Sequence, residues 1–132
     1  MKLLLVENDV ASAELTTHVI RQIRQDVEVT ITASGLEAIR YLELLSLPDL
    51  IITDLRMQEL DGNRLINFVK SSKLYQSIPV IVLSASESPA DIRWAYAAGC
   101  NGYFIKPMGL QPLIKLLQTV LAYWETSKRP EV

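Results

Sequence analysis

The chain has 132 residues, the size of one domain, and a 49% hydrophobic content that is enough for a core. Its 13 basic and 15 acidic residues leave a formal charge of -2, and neither sign forms a block, so the charge pattern offers no footprint for nucleic acid or an anionic membrane. The opening MKLLLVEND interrupts its apolar run at Glu7 and Asp9, too early for a signal peptide, and no later stretch is long enough to span a bilayer, so a cytoplasmic location is expected.

KLLLV at 2–6 reads as the first strand, and helical spacing over 10–24 follows it. His18 falls within that helix, far from any strand end, and reads as an ordinary surface side chain. VEVTITA at 27–33 is the second strand and 35–45 the second helix. DLIIT at 49–53 is the third strand, followed by a polar loop and a helix over 61–73. PVIVLS at 79–84 leads to the sequence SPAD, in which Ser88 suits an N-cap, Pro89 the first helical position and Asp91 the position three after the cap; the helix then runs over 89–98 and stops at Gly99. On this helix Ile92, Ala95 and Tyr96 share a candidate core face, and Trp94 falls off it. The single cysteine, Cys100, excludes an internal disulfide and reads as a small buried residue near a turn. GYFI at 102–105 is the fifth strand. In the last helix, 110–125, Leu110, Leu113, Ile114, Leu117, Val120, Leu121 and Trp124 recur at three and four residues as one buried stripe, while Leu116 and Tyr123 lie off it. Strict alternation of strand and helix predicts a doubly wound α/β fold with a parallel sheet. The expected organisation is one domain over 1–125 and a loose tail at 126–132, with no output domain.

In an open parallel sheet ligands bind beyond the carboxyl ends of the strands. The first strand delivers Glu7, Asn8 and Asp9 there, the third Asp54, the fourth Ser84 and the fifth Lys106, followed by Pro107. Carboxylates, an amide, a hydroxyl and an ammonium at one edge suit an oxyanion together with a hard cation. Two unit charges about 4 Å apart repel by roughly 4 kcal/mol at an effective dielectric of 20, so Glu7 and Asp54 need Lys106 or a divalent ion between them. Magnesium meets that need, and an Asp at such a strand end can act as a nucleophile toward phosphorus.

LLLVEND, PDLIITDLRMQELDG, IPVIVLSAS and AAGCNGYFIKP, in that order, resemble the receiver domain of two-component response regulators, over about 120 residues. The resemblance implies a flavodoxin-like (βα)5 fold with strand order 2-1-3-4-5. It implies that Asp54 accepts a phosphoryl group from a sensor histidine kinase, the chain catalysing only its own phosphorylation and dephosphorylation. It further implies that Glu7, Asn8, Asp54 and the backbone carbonyl of Arg56 hold Mg2+, that Ser84 and Lys106 bind the phosphoryl group, and that Ser84 and Tyr103 form the switch. A cis bond before Pro107 also carries over. Asn8 stands where the family usually has a second acid, which lowers the charge of the site and the expected metal affinity. Asp9, one residue later, suits the N-cap of the first helix better than a ligand position. Gln58 replaces a proline common in the loop after the acceptor. Ser86 and Arg56, two residues beyond Ser84 and Asp54, flank the approach of an attacking water.

The output implied for such a receiver is a protein contact with a downstream target, through the fourth helix, fifth strand and fifth helix. Trp94, Leu116 and Tyr123 mark this partner face and motivate an expectation of homodimerisation. The ending LIKLLQTVLAYWE is similar to receivers paired with bacterial phytochrome kinases. Two other classes compete. One is a phosphate-independent pseudo-receiver acting as a protein-binding module, suggested by Asn8. The other is an aspartyl-phosphate hydrolase, against which stands the absence of an Asp-x-Asp motif after the first strand.

Overall fold

The computed structural model describes residues 1–44, 47–57 and 59–130. Among them five strands alternate with five helices: β1 (Lys2–Val6), α1 (Val10–Ile23), β2 (Glu28–Thr32), α2 (Gly35–Leu44), β3 (Leu50–Thr53), α3 (Gly62–Ser71), β4 (Val80–Ser84), α4 (Pro89–Ala98), β5 (Gly102–Ile105) and α5 (Leu110–Thr126). The strands form one parallel sheet in the order β2-β1-β3-β4-β5, as expected. Leu45, read as the end of α2, and Gln58 lie outside the described residues.

The apolar strand runs are explained by cover on both faces, since successive side chains point to opposite sides. Leu4, Val6, Ile51, Val80 and Val82 face one layer, where Ala38 and Leu42 of α2, Leu65, Ile66 and Val69 of α3 and Ala95 of α4 pack. Leu3, Leu5, Leu50, Ile52, Ile81 and Leu83 face the other, filled by Ala13, Val19 and Ile20 of α1 and by Leu113, Leu117, Val120 and Leu121 of α5. Cys100 is buried in the first layer, and His18 is exposed.

Several side chains depart from the sequence reading. Leu110 is exposed because, as the first residue of α5, it precedes the part of the stripe that meets the sheet. Leu116 is half-buried rather than free, packed with Phe104, Leu117 and Val120, because the apolar face of α5 is wider than the stripe alone. Tyr96 is exposed, not core. Its hydroxyl accepts the Tyr103 N–H at 3.2 Å, a donor that edge strand β5 leaves without a ladder partner on that side. Ser88 does occupy the N-cap of α4, but its side chain makes no capping bond. Asp91 is drawn away by other partners, described below. The Lys106–Pro107 bond is trans, the lower-energy isomer, instead of cis.

Candidate functional site

Strand register assembles the site. Val6 pairs with Thr53, so the next residues, Glu7 and Asp54, leave the sheet side by side. Ser84 pairs with Ile105, so Lys106 emerges one step beyond the Ser84 hydroxyl. Asp54 is 19% exposed at its side chain. Its Oδ1 accepts the Leu55 N–H at 2.7 Å, and its Oδ2 lies 3.9 Å from Lys106 Nζ.

Glu7 is more deeply set, at 7% exposure. Its Oε1 accepts from Lys106 Nζ at 2.8 Å and from the Ser12 hydroxyl at 3.1 Å, and its Oε2 accepts the Asp9 N–H at 3.2 Å. Lys106 also donates to Ser12 Oγ at 3.0 Å. One ammonium thus serves two carboxylates and is closer to Glu7. The electrostatics of Asp54 follow: burial pushes its carboxyl above the ordinary value, the Leu55 N–H opposes that shift, the Glu7 charge adds to it and Lys106 opposes it. The charge that ends β3 is therefore only partly compensated.

The other predicted residues fall around this centre. Ser84 is buried, and its Oγ accepts the Ser86 N–H at 3.1 Å. Tyr103 is half-buried against the core, and its hydroxyl donates to the Ser86 carbonyl at 2.8 Å. Asn8 is exposed on the wall of a cavity of about 470 Å³ that is also lined by Leu55, Arg56, Asp61, Asn63 and Asp91, with Trp94 at the same opening. Asp9 turns away as the N-cap of α1, accepting the Ser12 N–H. The Arg56 side chain points across to α4, where its Nη2 lies 3.0 Å from Asp91 Oδ2. The partner-face residues Trp94 and Tyr123 are 65% and 62% exposed.

Two residues were not read as part of this centre from sequence: Ser12 and Asp91. Ser12 sits three residues after the Asp9 cap, in the first turn of α1, where its hydroxyl faces back to the strand end. Asp91 looks like an ordinary first-turn acid; the nearby hydroxyl of Ser86 is the feature that could have marked it as tied down.

The donor chemistry fits a hard divalent ion, being oxygen only: the Glu7 and Asp54 carboxylates, the Asn8 amide and backbone carbonyls. Among the described residues no three Asp, Glu, His or Cys side chains gather as a metal site. Such an ion would therefore rest on two carboxylates, with neutral oxygens and water completing its shell.

A five-stranded parallel sheet in this order, with acids, a hydroxyl and a lysine at its carboxyl edge, defines a receiver-type signalling module. The chain belongs to the response regulator receiver family: the sequence model of the response regulator receiver domain matches residues 3–118. It is 32% identical over 127 residues to the probable methanogenesis regulatory protein FilR2 of Methanothrix harundinacea, covering 92% of this chain and 82% of that one. It is 30% identical over 128 residues to response regulator Rcp1 of Synechocystis, covering 92% and 87%. Among solved structures, the phosphorylated cyanobacterial phytochrome response regulator RcpA superposes with a TM-score of 0.90 at 30% identity over 98% of each chain. The Mn(2+)-bound form of Rcp1 gives 0.86 at 30% identity over 98% and 99%.

Proposed function

We propose that Asp54 accepts a phosphoryl group from a histidine kinase in a magnesium-dependent step. The observation that carries this reading is the partly compensated Asp54 carboxylate, partly open to solvent, with Lys106 Nζ 3.9 Å away and Glu7 beside it. In the transfer an Asp54 oxygen bonds to phosphorus, the phosphorus–nitrogen bond of the kinase phosphohistidine breaks, and the imidazole leaves with the electron pair. Glu7, Asn8, Asp54 and the Arg56 carbonyl would hold the ion, which offsets charge on the phosphoryl oxygens when bound. Lys106 is within reach to follow the new charge away from Glu7. Ser84 Oγ accepts from Ser86, which leaves its own O–H to donate to a phosphoryl oxygen. That donation draws on the residue whose neighbour, Ser86, anchors the Tyr103 hydroxyl, and so couples Asp54 to the Tyr103 switch.

The likeness to RcpA and Rcp1 supports a phytochrome-type kinase as the phosphoryl source. The exposed Trp94 and Tyr123 support a protein-contact face on α4, β5 and α5 for a downstream target or a second copy of the chain; the half-buried Leu116 has less surface to offer. The test is intact-protein mass spectrometry after incubation with a small acyl phosphate and magnesium. A single phosphoryl adduct, absent in Asp54→Ala and after chelation, is expected. A second reading, a phosphate-independent binding module, draws on the Lys106–Glu7 bond, which occupies a ligand carboxylate, and on the uncharged Asn8. A folded wild-type chain that forms no adduct would favour it.

A further inference from the structure

A cavity of about 440 Å³ opens at the amino edge of the sheet, beside Pro79 and Asn101, the residues that precede β4 and β5. Because the strands are parallel, this is the edge opposite Asp54. Its charge is one-sided. Lys70 at the end of α3, Lys73 in the loop that follows, and Lys128 and Arg129 beyond α5 line it, with half-buried Trp124 as an aromatic wall, and none of its lining residues among those described is acidic. The chain as a whole has a formal charge of -2, so this gathering of cations runs against its balance. Arg129 fixes the tail here: its Nη1 donates to the Asp49 carbonyl at 2.6 Å and its Nη2 to Asp49 Oδ1 at 3.1 Å. That pair accounts for the Arg129 charge. The three lysines have no carboxylate partner among the described residues.

Lys70 is half-buried, and its Nζ donates to the carbonyls of Gln76 at 3.1 Å and Ile78 at 2.7 Å. Both acceptors are neutral and an ammonium has three protons to give, so one donor and the charge stay unmatched. Burial accordingly holds its pKa below the ordinary lysine value. A buried charge without a counter-charge is costly, and an anion in the cavity offsets that cost.

We propose that this cavity binds a small pyrophosphate-bearing anion, inorganic or carried by a nucleoside, with Lys70, Lys73 and Lys128 as its counter-charges. A terminal phosphate carries about -1.5 to -2 and an internal one adds to it, close to the charge of the three lysines. The volume is that of a small-ligand site, and the Trp124 ring offers a nucleoside an apolar wall. Since the lysines come from α3, its following loop and the tail, the anion fastens the residues after α5 to the body of the domain.

The test is isothermal titration of the full chain with inorganic pyrophosphate and with ADP, in chelator without magnesium, repeated in Asp54→Ala. Expected is one saturable site with the same affinity in both chains, and a change in Trp124 emission in a Trp94→Phe background, where it is the sole tryptophan. Lys73→Ala and Lys128→Ala, both exposed positions, should each weaken binding roughly tenfold, the scale of one lost charge-assisted bond, with unchanged melts. Lys115→Ala, an exposed lysine of α5 outside the cavity, removes the same charge and should leave the affinity as it is. Tighter binding of ADP assigns the nucleoside form; equal or weaker binding assigns the inorganic one. No saturable binding by either at millimolar concentration overturns the proposal. So does a loss in Lys115→Ala equal to that in the cavity variants, or binding abolished by Asp54→Ala. Adduct formation at Asp54 is a separate measurement, and neither result decides the other.

Discussion

At Gly62 the first turn of α3 presses on the strand end that carries Asp54. A Cβ there would sit 2.2 Å from the Asp54 carbonyl oxygen and 2.9 Å from Leu55 Cα, and the Gly62 N–H bonds to the Leu55 carbonyl at 2.8 Å. The obstacle is backbone, which cannot swing aside as a side chain would. Gly62→Ala should therefore lose about 1–3 kcal/mol in urea unfolding, the range for forced overpacking, and should slow adduct formation because the shift falls on Asp54 itself. A melt and a time course within error of wild type would contradict this. Far from the site, the Arg24 guanidinium hydrogen-bonds Asp26 and holds its carboxyl at about 2 against an ordinary 3.8, while also reaching Glu125 of α5. A carboxyl lowered on folding stabilises the fold above its unfolded value and loses that contribution as pH falls through the folded one. Arg24→Gln should raise the Asp26 titration midpoint toward 3.8 by NMR, and its stability deficit relative to wild type should shrink between pH 5 and pH 2.

Element by element, the sequence was most legible where a single residue type has one structural use. Asp9 before the first apolar stripe reads as a cap and accepts the Ser12 N–H at 2.9 Å. Asp9→Ala should cost about 1 kcal/mol in chemical denaturation, with the adduct still forming, since the carboxylate faces α1 and not Asp54. Gly99 at the end of α4 takes the left-handed conformation, with φ at 111°, as a helix stop requires. Strand ends were legible for a related reason: with period-two alternation and parallel pairing, register follows from the apolar runs and brings Glu7, Asp54, Ser84 and Lys106 to one edge. What stayed hidden depends on the path of the loops. Asp91 has the spacing of a capping-box acid, yet Ser86, two residues before the cap, and Arg56, from the loop after β3, hold its carboxylate, while the Ser88 N–H bonds to Ser86 Oγ instead. Tyr96 has the spacing of a core residue, yet an unpaired edge donor on β5 holds its hydroxyl outside. The Ser12 link between Glu7 and Lys106 likewise spans 94 residues of sequence and leaves no local pattern.

For the molecule as a whole, the open question is what covers the aromatic side chains that the core does not use. Trp94 on α4 and Tyr123 on α5 are both more than half exposed, and Met108, in the loop entering α5, is almost fully so. Large rigid aromatic side chains such as Trp94 and Tyr123 carry a disproportionate share of binding energy when a partner buries them. A charge in their place would have to be desolvated on association, which costs several kcal/mol without a paired counter-charge. Because neither aromatic side chain fills the core, replacing it should leave the monomer fold untouched. If a second copy is the occupant, wild-type protein should show twice the chain mass by light scattering, and Trp94→Glu, with Tyr123→Glu as an independent variant, should show the single-chain mass at the same concentration with an unchanged melt. A Trp94→Glu variant whose mass equals that of wild type would remove homodimerisation through this face and leave the surface to a different protein target. Running the pair with and without the phosphoryl donor tests coupling as well: if Tyr103 relays the state of Asp54 to α4 through Ser86, the dimer fraction of the wild type should change with phosphorylation, and that of Tyr103→Phe, which lacks the hydroxyl bonded to the Ser86 carbonyl, should change less.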